Sequence, residues 1–273
     1  MTRAAAVAAL RGGNAGFVAG ISWVTPGFLG DAVRSFGLDF GFVPADPRDA
    51  ENRIAKLHAL DAAAIWAVPG VLGRAAESIG WMEVLRLSAA EPGALAVTLA
   101  EALHDALDLT RTGIAAGADC VLVADDLAGA NGALVSPDFA LDALLPCYRS
   151  IAAEVIGDRV AAFHSDGDVR VLMPSLAAAG FSAVHVAGMG GAGVTASVRA
   201  ARAAGLVAIG GVVAAGIGDD PVSAGDFAGR LACEEGVLVC DDGGLVTPED
   251  LAAYGIAVDA ARDAFTQRGA GSR

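Results

Sequence analysis

Long apolar runs, basic charge and paired cysteines are what this sequence has least of, and each shortage excludes something. No uninterrupted apolar segment reaches the roughly 18 to 20 residues that span a bilayer, and the nearest, 203–218, is broken by its own glycines. Residues 1–11 lack the apolar core and small-residue cleavage site of a signal peptide, so a cytoplasmic location is expected. Lys and Arg number 18 against 32 Asp and Glu, a formal charge of −14, which argues against a nucleic-acid or anionic-membrane partner. The same balance disfavours a substrate with many carboxylates, unless arginines gather at the site. The four cysteines, Cys120, Cys147, Cys233 and Cys240, show neither CxxC spacing nor a secreted framework, which points to a reducing compartment. They read as free thiols or, singly, as a metal ligand.

What is present is enough apolar material for a large core: 273 residues, 55% of them hydrophobic, at a mean hydropathy of +0.54. Apolar runs near 17–23, 38–43, 64–68, 120–123, 160–163, 183–186, 206–209 and 237–240 read as eight buried strands. Helical stretches separate them at 31–36, 47–60, 73–79, 92–116, 137–156, 168–179, 192–204 and 221–235, and a last one opens at Pro248. Glycines such as Gly37, Gly117 and Gly236 mark helix ends. Strand and helix in alternation predict α/β architecture, a single (β/α)8 TIM barrel over residues 1–273, with an open doubly wound sheet as the runner-up. Residues 268–273, rich in Gly and Ser, are expected to fray.

The stretch 119–168 organises the chain. One apolar run ends in Asp125-Asp126 and the next in His164-Ser165-Asp166-Gly167-Asp168, with Ser136-Pro137 as helix cap and first helical residue between them. Parallel strands send both polar tips to one rim. The other tips add 23–26, Asp46, Pro69, His185 with Met189, Gly210-Gly211, and Cys240-Asp241-Asp242. Candidate catalytic residues are therefore Asp125, Asp126, His164 and His185, although His185 also fits a histidine that merely anchors a loop. His58 and His104 fall inside helices and read as solvated. Successive strand residues face opposite ways, so Asp125 and Asp126 have different tasks; the expectation places Asp125 on substrate and Asp126 in loop order. Gly188, Gly190 and Gly191, opening a helix, form a candidate anion-binding loop or simply a tight turn.

These motifs resemble the uroporphyrinogen decarboxylase superfamily, including its methylcobamide:thiol methyltransferase branch. The resemblance rests on Gly117-Ala118-Asp119, Ala124-Asp125-Asp126-Leu127, Leu134 to Phe139 with Leu145-Pro146, His164 to Asp168, and Leu176 to Phe181. Weaker agreement runs from Ala8 to Thr247-Pro248-Glu249. It implies the same barrel. The family's decarboxylases carry an Arg-Gln-Ala-Gly-Arg motif that holds substrate carboxylates, whereas residues 17–30 here contain no Arg. Its thiol methyltransferases hold zinc through His-x-Cys and a distant Cys. His164-Ser165-Asp166 occupies the first motif with Asp for Cys, and Cys240 lies near the second, so the resemblance implies a His164, Asp166, Cys240 zinc site, with Asp241 or Asp242 as alternatives to Cys240.

The leading expectation is a zinc-dependent methyltransferase that moves a methyl group between a small substrate or thiol and a corrinoid (cobalamin-type) cofactor on a partner protein. A homodimer is also expected. The alternatives are a metal-free decarboxylase or lyase, with Asp125 stabilising charge and His164 donating a proton, and a binding subunit that has lost its chemistry.

Overall fold

The computed structural model describes residues 1–13, 16–24, 27–129, 131–215 and 217–271. Of the rim residues expected from the sequence, Thr25 and Pro26 lie outside them. Eight parallel strands form one sheet in chain order: β1 (Gly20–Ile21), β2 (Phe40–Pro44), β3 (Ala63–Pro69), β4 (Cys120–Ala124), β5 (Val160–Asp166), β6 (Ala183–Ala187), β7 (Val207–Val212) and β8 (Leu238–Asp241). A parallel bridge between Ala19 and Val239, with Val239 N–H donating to the Val18 carbonyl at 2.9 Å, joins the last strand to the first. The sheet is thus a closed (β/α)8 barrel, as the eight apolar runs predict.

The strands are apolar on both faces because both are buried. One set of side chains, including Phe40, Phe42, Ile65, Leu122, Ala162, Ile209 and Cys240, fills the barrel interior. The alternate set, including Trp66, Val121, Val123, Phe163 and Val184, packs beneath the helices. Helix α1 (Arg3–Leu10) contributes Ala6, Ala9 and Leu10 to the interior cluster and plugs the N-terminal end. The helical layer continues with α2 (Leu29–Phe36), α3 (Ala50–His58), α4 (Val71–Ile79), α5 (Trp81–Ala90), α6 (Ala96–Ala115), α7 (Leu145–Glu154), α8 (Met173–Ala178), α9 (Gly191–Ala203), α10 (Pro221–Glu235) and α11 (Pro248–Gly271). The last of these carries the helix through the first residues of the Gly- and Ser-rich tail. No helix of the described residues is long and apolar enough to cross a membrane.

Two features depart from the sequence reading. At Gly80, φ of +88° ends α4 and the chain restarts immediately as α5, so one crossover carries an additional helix. Between β4 and α7 a short antiparallel hairpin (Ala128–Gly129 with Gly132–Ala133) lies over the rim. His58 is also more than a solvated helix residue: its Nε2 is 3.0 Å from Asp119 Oδ2, tying α3 to the start of β4. His104 is exposed, as expected, and faces Asp108 across one helical turn.

Candidate functional site at the barrel mouth

The register sets the site. Interior positions alternate along β4 as Cys120, Leu122 and Ala124, so Asp125 must turn outward and Asp126 back toward the axis. Asp125 is 1% exposed. Its carboxylate accepts from the Leu72 and Gly73 N–H groups at the start of α4, both at 2.8 Å, and from the Tyr148 hydroxyl of α7 at 2.7 Å. Burial pushes this carboxyl up to about 6, against the pull of the three donors. Asp125, expected on substrate, is thus placed between α4 and α7 and is not among the residues that line the mouth cavity.

Asp126 takes the inward place. Its Oδ1 accepts the Asp166 N–H at 2.9 Å, and Ser165 Oγ accepts the Leu127 N–H at 2.9 Å, so the tips of β4 and β5 are laced together. His164 Nε2 stands 3.7 Å from Asp126 Oδ1 and 3.8 Å from Asp166 Oδ1. One ligand atom from each of these three residues lies within 4.8 Å of the other two. The two carboxylates are half exposed, whereas the His164 side chain is 8% exposed.

A second histidine fixes the first. β5 and β6 pair His164 directly with His185, and the two Nδ1 atoms are 2.9 Å apart. His185 Nε2 lies 2.8 Å from the Asp241 backbone carbonyl, which can only accept, so Nε2 carries the proton. Burial lowers His185 to about 4 and, together with the neighbouring ring, lowers His164 well below its ordinary value. Both rings are neutral at pH 7. Neutral His185 then has a bare Nδ1, His164 must donate to it from its own Nδ1, and His164 Nε2 is left as a lone pair aimed at Asp126 and Asp166. His185 thus orients the His164 ring.

This arrangement has a pH signature. The folded state holds His185 near 4 against an unfolded value of about 6.5, so the unfolded chain binds more protons between them and stability falls as pH drops through that window. The loss is on the order of 3 kcal/mol. Chemical denaturation from pH 7 to 4 is expected to show a shallower dependence in His185→Gln than in the wild type; equal slopes would refute the neutral pair.

Cys240 does not join the cluster. It points into the barrel interior, fully buried, with Sγ 3.7 Å from Asp241 Oδ1. Burial and the adjacent carboxylate push its thiol well above its ordinary value. Of the implied His164, Asp166, Cys240 set, the structure brings His164 and Asp166 together with Asp126, while Cys240 lies in the barrel interior outside that cluster. Nor is Asp241 the replacement: its carboxylate accepts from Ser22 N–H and Oγ–H and from Gly243 N–H, closing β8 onto β1. Asp242 accepts the Ala214 N–H at 2.7 Å. The Gly188 to Gly191 loop is shaped by packing: Gly188 has φ of +69°, and a Cβ there would meet Gly167 N at 3.0 Å and Asp166 Cγ at 3.3 Å. The Asp166 carboxylate alongside favours the tight-turn reading at Gly188, whereas a Cβ at Gly190 would meet nothing within 4 Å and one at Gly191 only the Phe227 ring.

Above the cluster opens a cavity of about 390 Å³ lined by Trp23, Pro44, Ala45, Ala67, Pro69, Ala124, Asp126 and His164. Trp23 meets the His164 ring edge-on at a centroid distance of 4.6 Å. Sequence reasoning placed Trp23 at a strand tip without giving it a task; an aromatic residue at the end of the first apolar run was the available signal.

No family model matches the sequence, and a comparison with curated proteins yields no match. Among solved structures, the chain is similar to a methyltransferase from Methanosarcina mazei, at a TM-score of 0.74 and 18% identity over 97% of this chain and 99% of the other. It is also similar to deoxyribose phosphate aldolase from Aeropyrum pernix, at a TM-score of 0.52 and 12% identity over 97% and 93% of the two chains. Dihydrodipicolinate synthase from Oceanobacillus iheyensis gives a TM-score of 0.51 and 14% identity over 97% and 77%. At these identities the likeness is one of fold: the chain shares its barrel with enzymes of several chemistries.

Proposed function

We propose that this protein is a metal-dependent methyltransferase whose Asp126, His164 and Asp166 hold one divalent ion, zinc by preference, and that it moves a methyl group between a small substrate and a corrinoid-bearing partner protein. The observation that carries the reading is the His164 Nε2 lone pair, nine-tenths buried yet aimed between two carboxylates at the C-terminal rim, where barrel enzymes place their chemistry. The barrel is also shared, over nearly the whole of both chains, with a protein described as a methyltransferase.

Zinc accepts imidazole and carboxylate together, and an ion held by Asp126, His164 and Asp166 would lower the pKa of a bound thiol, hydroxyl or water. The chain's own residues do the rest. His185, held by the Asp241 carbonyl, keeps His164 in the tautomer that can ligate. Asp126 and Asp166 would offset the ion's charge, and the Asp166 N–H bond to Asp126 keeps that carboxylate turned inward. Trp23, Pro44 and Pro69 wall the cavity with apolar surface that limits water. The decarboxylase alternative is less well served: Asp125 is outside the cavity, and the described residues lining it include no Lys or Arg to hold a substrate carboxylate.

Elemental analysis of protein expressed without a His tag tests the site. About one zinc per chain is expected in the wild type and in Cys240→Ala, with loss in His164→Ala and Asp126→Ala. Substoichiometric metal that no substitution changes would overturn the reading, and loss in Cys240→Ala would restore the cysteine as ligand.

A further inference from the structure

We infer that the cleft at the N-terminal end of the barrel is a second binding site, which takes a small phosphate-bearing anion on Arg159, Arg11 and Arg3. It lies at the end opposite the mouth, so the inference is independent of the metal-site reading.

The cleft, of about 920 Å³, is bounded by one face of α1, whose positions 4, 7, 8 and 11 follow helical spacing, and by the residues that lead into β4 and β5. Arg3 and Arg11 reach it from the two ends of α1, and Arg159 from the residue before β5. Arg159 carries the argument. Among the described residues, it and the exposed Arg149 have no carboxylate partner, whereas the other arginines are paired. The Arg159 Nε is buried without a hydrogen-bond partner, and Nη2 reaches only the Ile114 carbonyl, at 3.5 Å. That distance is the outer limit of a hydrogen bond. A partly buried guanidinium with five N–H donors is costly to leave so nearly unpaired, and an oxyanion entering the cleft supplies the acceptors it lacks.

The carboxylates of the cleft leave Arg159 to a ligand. Asp119 Oδ2 accepts the Ala64 N–H at 2.9 Å and lies 3.0 Å from His58 Nε2, while Oδ1 meets Arg3 Nε at 3.2 Å. Asp61 accepts the Arg3 N–H at 3.0 Å. Asp158 bonds Arg11, but its side chain is 99% exposed, so the pair is screened by water and exchanges readily for a bound anion. Guanidinium forks match phosphate oxygens two at a time. A tetrahedral dianion serves several forks from separate segments at once, whereas a carboxylate offers two oxygens in one plane. The chain's formal charge of −14 repels anions elsewhere, so saturable phosphate binding needs a local cluster such as this one.

Calorimetric titration of the purified full chain with glycerol 3-phosphate, inorganic phosphate and acetate, at matched ionic strength, tests the site. Both phosphates are expected to bind at one site per chain and acetate about tenfold more weakly; whichever phosphate binds tighter tells whether the ester or the free ion is the ligand. Arg159→Gln should weaken phosphate binding about tenfold and Arg11→Gln severalfold, with Arg159→Lys recovering only part, since it keeps the charge without the fork. Arg149→Gln should change nothing. His164→Ala, titrated with chelator present, should bind phosphate as the wild type does. Circular dichroism checks each fold, and should Arg159→Gln not fold, Arg11→Gln reads the same loss. No saturable binding at millimolar phosphate, affinities unchanged in the foldable variants of Arg159 and Arg11, or an equal loss in Arg149→Gln would overturn the inference. Loss of binding in His164→Ala would place the phosphate at the mouth and overturn it too.

Discussion

Asp125→Ala is expected to lower stability by about 4 kcal/mol, whereas Asp126→Ala is expected to change it by less than about 1 kcal/mol and, on the proposed reading, to abolish zinc binding. The two neighbours differ because β-strand alternation turns one outward under the helices and the other toward the axis. Loss of the Asp125 carboxylate strands three donors at once: the Leu72 and Gly73 N–H groups and the Tyr148 hydroxyl, which is 1% exposed. Each orphaned buried donor costs about 1–3 kcal/mol, partly offset by relief of burying the carboxyl itself. Asp126 is half exposed, so water replaces it at the Asp166 N–H. Denaturant titration with parallel metal analysis of both variants checks this. A stable Asp125→Ala protein that has lost its metal would return Asp125 to the site.

Gly225→Val is expected to cost about 3 to 4 kcal/mol and Gly225→Val with Gly229→Val to prevent folding. Helices α10 and α11 cross with backbone against backbone: a Cβ at Gly225 would lie 2.1 Å from the Ala257 carbonyl oxygen, and one at Gly229 would lie 2.2 Å from that of Ala261. Neither contact involves a side chain that could rotate away, so the helices must separate and uncover Ala257, Val258 and Ala261, all fully buried. Val222, on the same helix and 57% exposed, supplies the control, since Val222→Ala should leave the melting temperature within a degree or two. A melting temperature for Gly225→Val equal to that of Val222→Ala would show that the crossing is loose.

The barrel was legible because each strand is buried on both faces and ends where burial ends. Val121-Leu122-Val123 passing into Asp125-Asp126 and Phe163 into His164 mark the change from core to rim in one dimension, and Gly37 and Gly236 mark helix ends by their left-handed conformation. The restart of α5 after Gly80 was not legible, since a glycine that ends one helix looks the same whether a loop or another helix follows. His164 and Asp166 could be picked out as neighbours two residues apart on one strand tip.

What the chain order could not decide is which face of a tip looks inward and how deep a side chain sits, for both depend on the shear of a closed sheet. Alternation said that Asp125 and Asp126 point apart; only the packing of α4 and α7 against the barrel put Asp125 outside. Cys240 had the right strand, yet its position below the rim leaves it a buried thiol. The link from the Asp241 carbonyl through His185 to His164 joins three strands that no sequence motif connects, and it exists because parallel register lays His164 beside His185. Local sequence determined where the chain meets the rim, and barrel closure decided which of its side chains meet one another there.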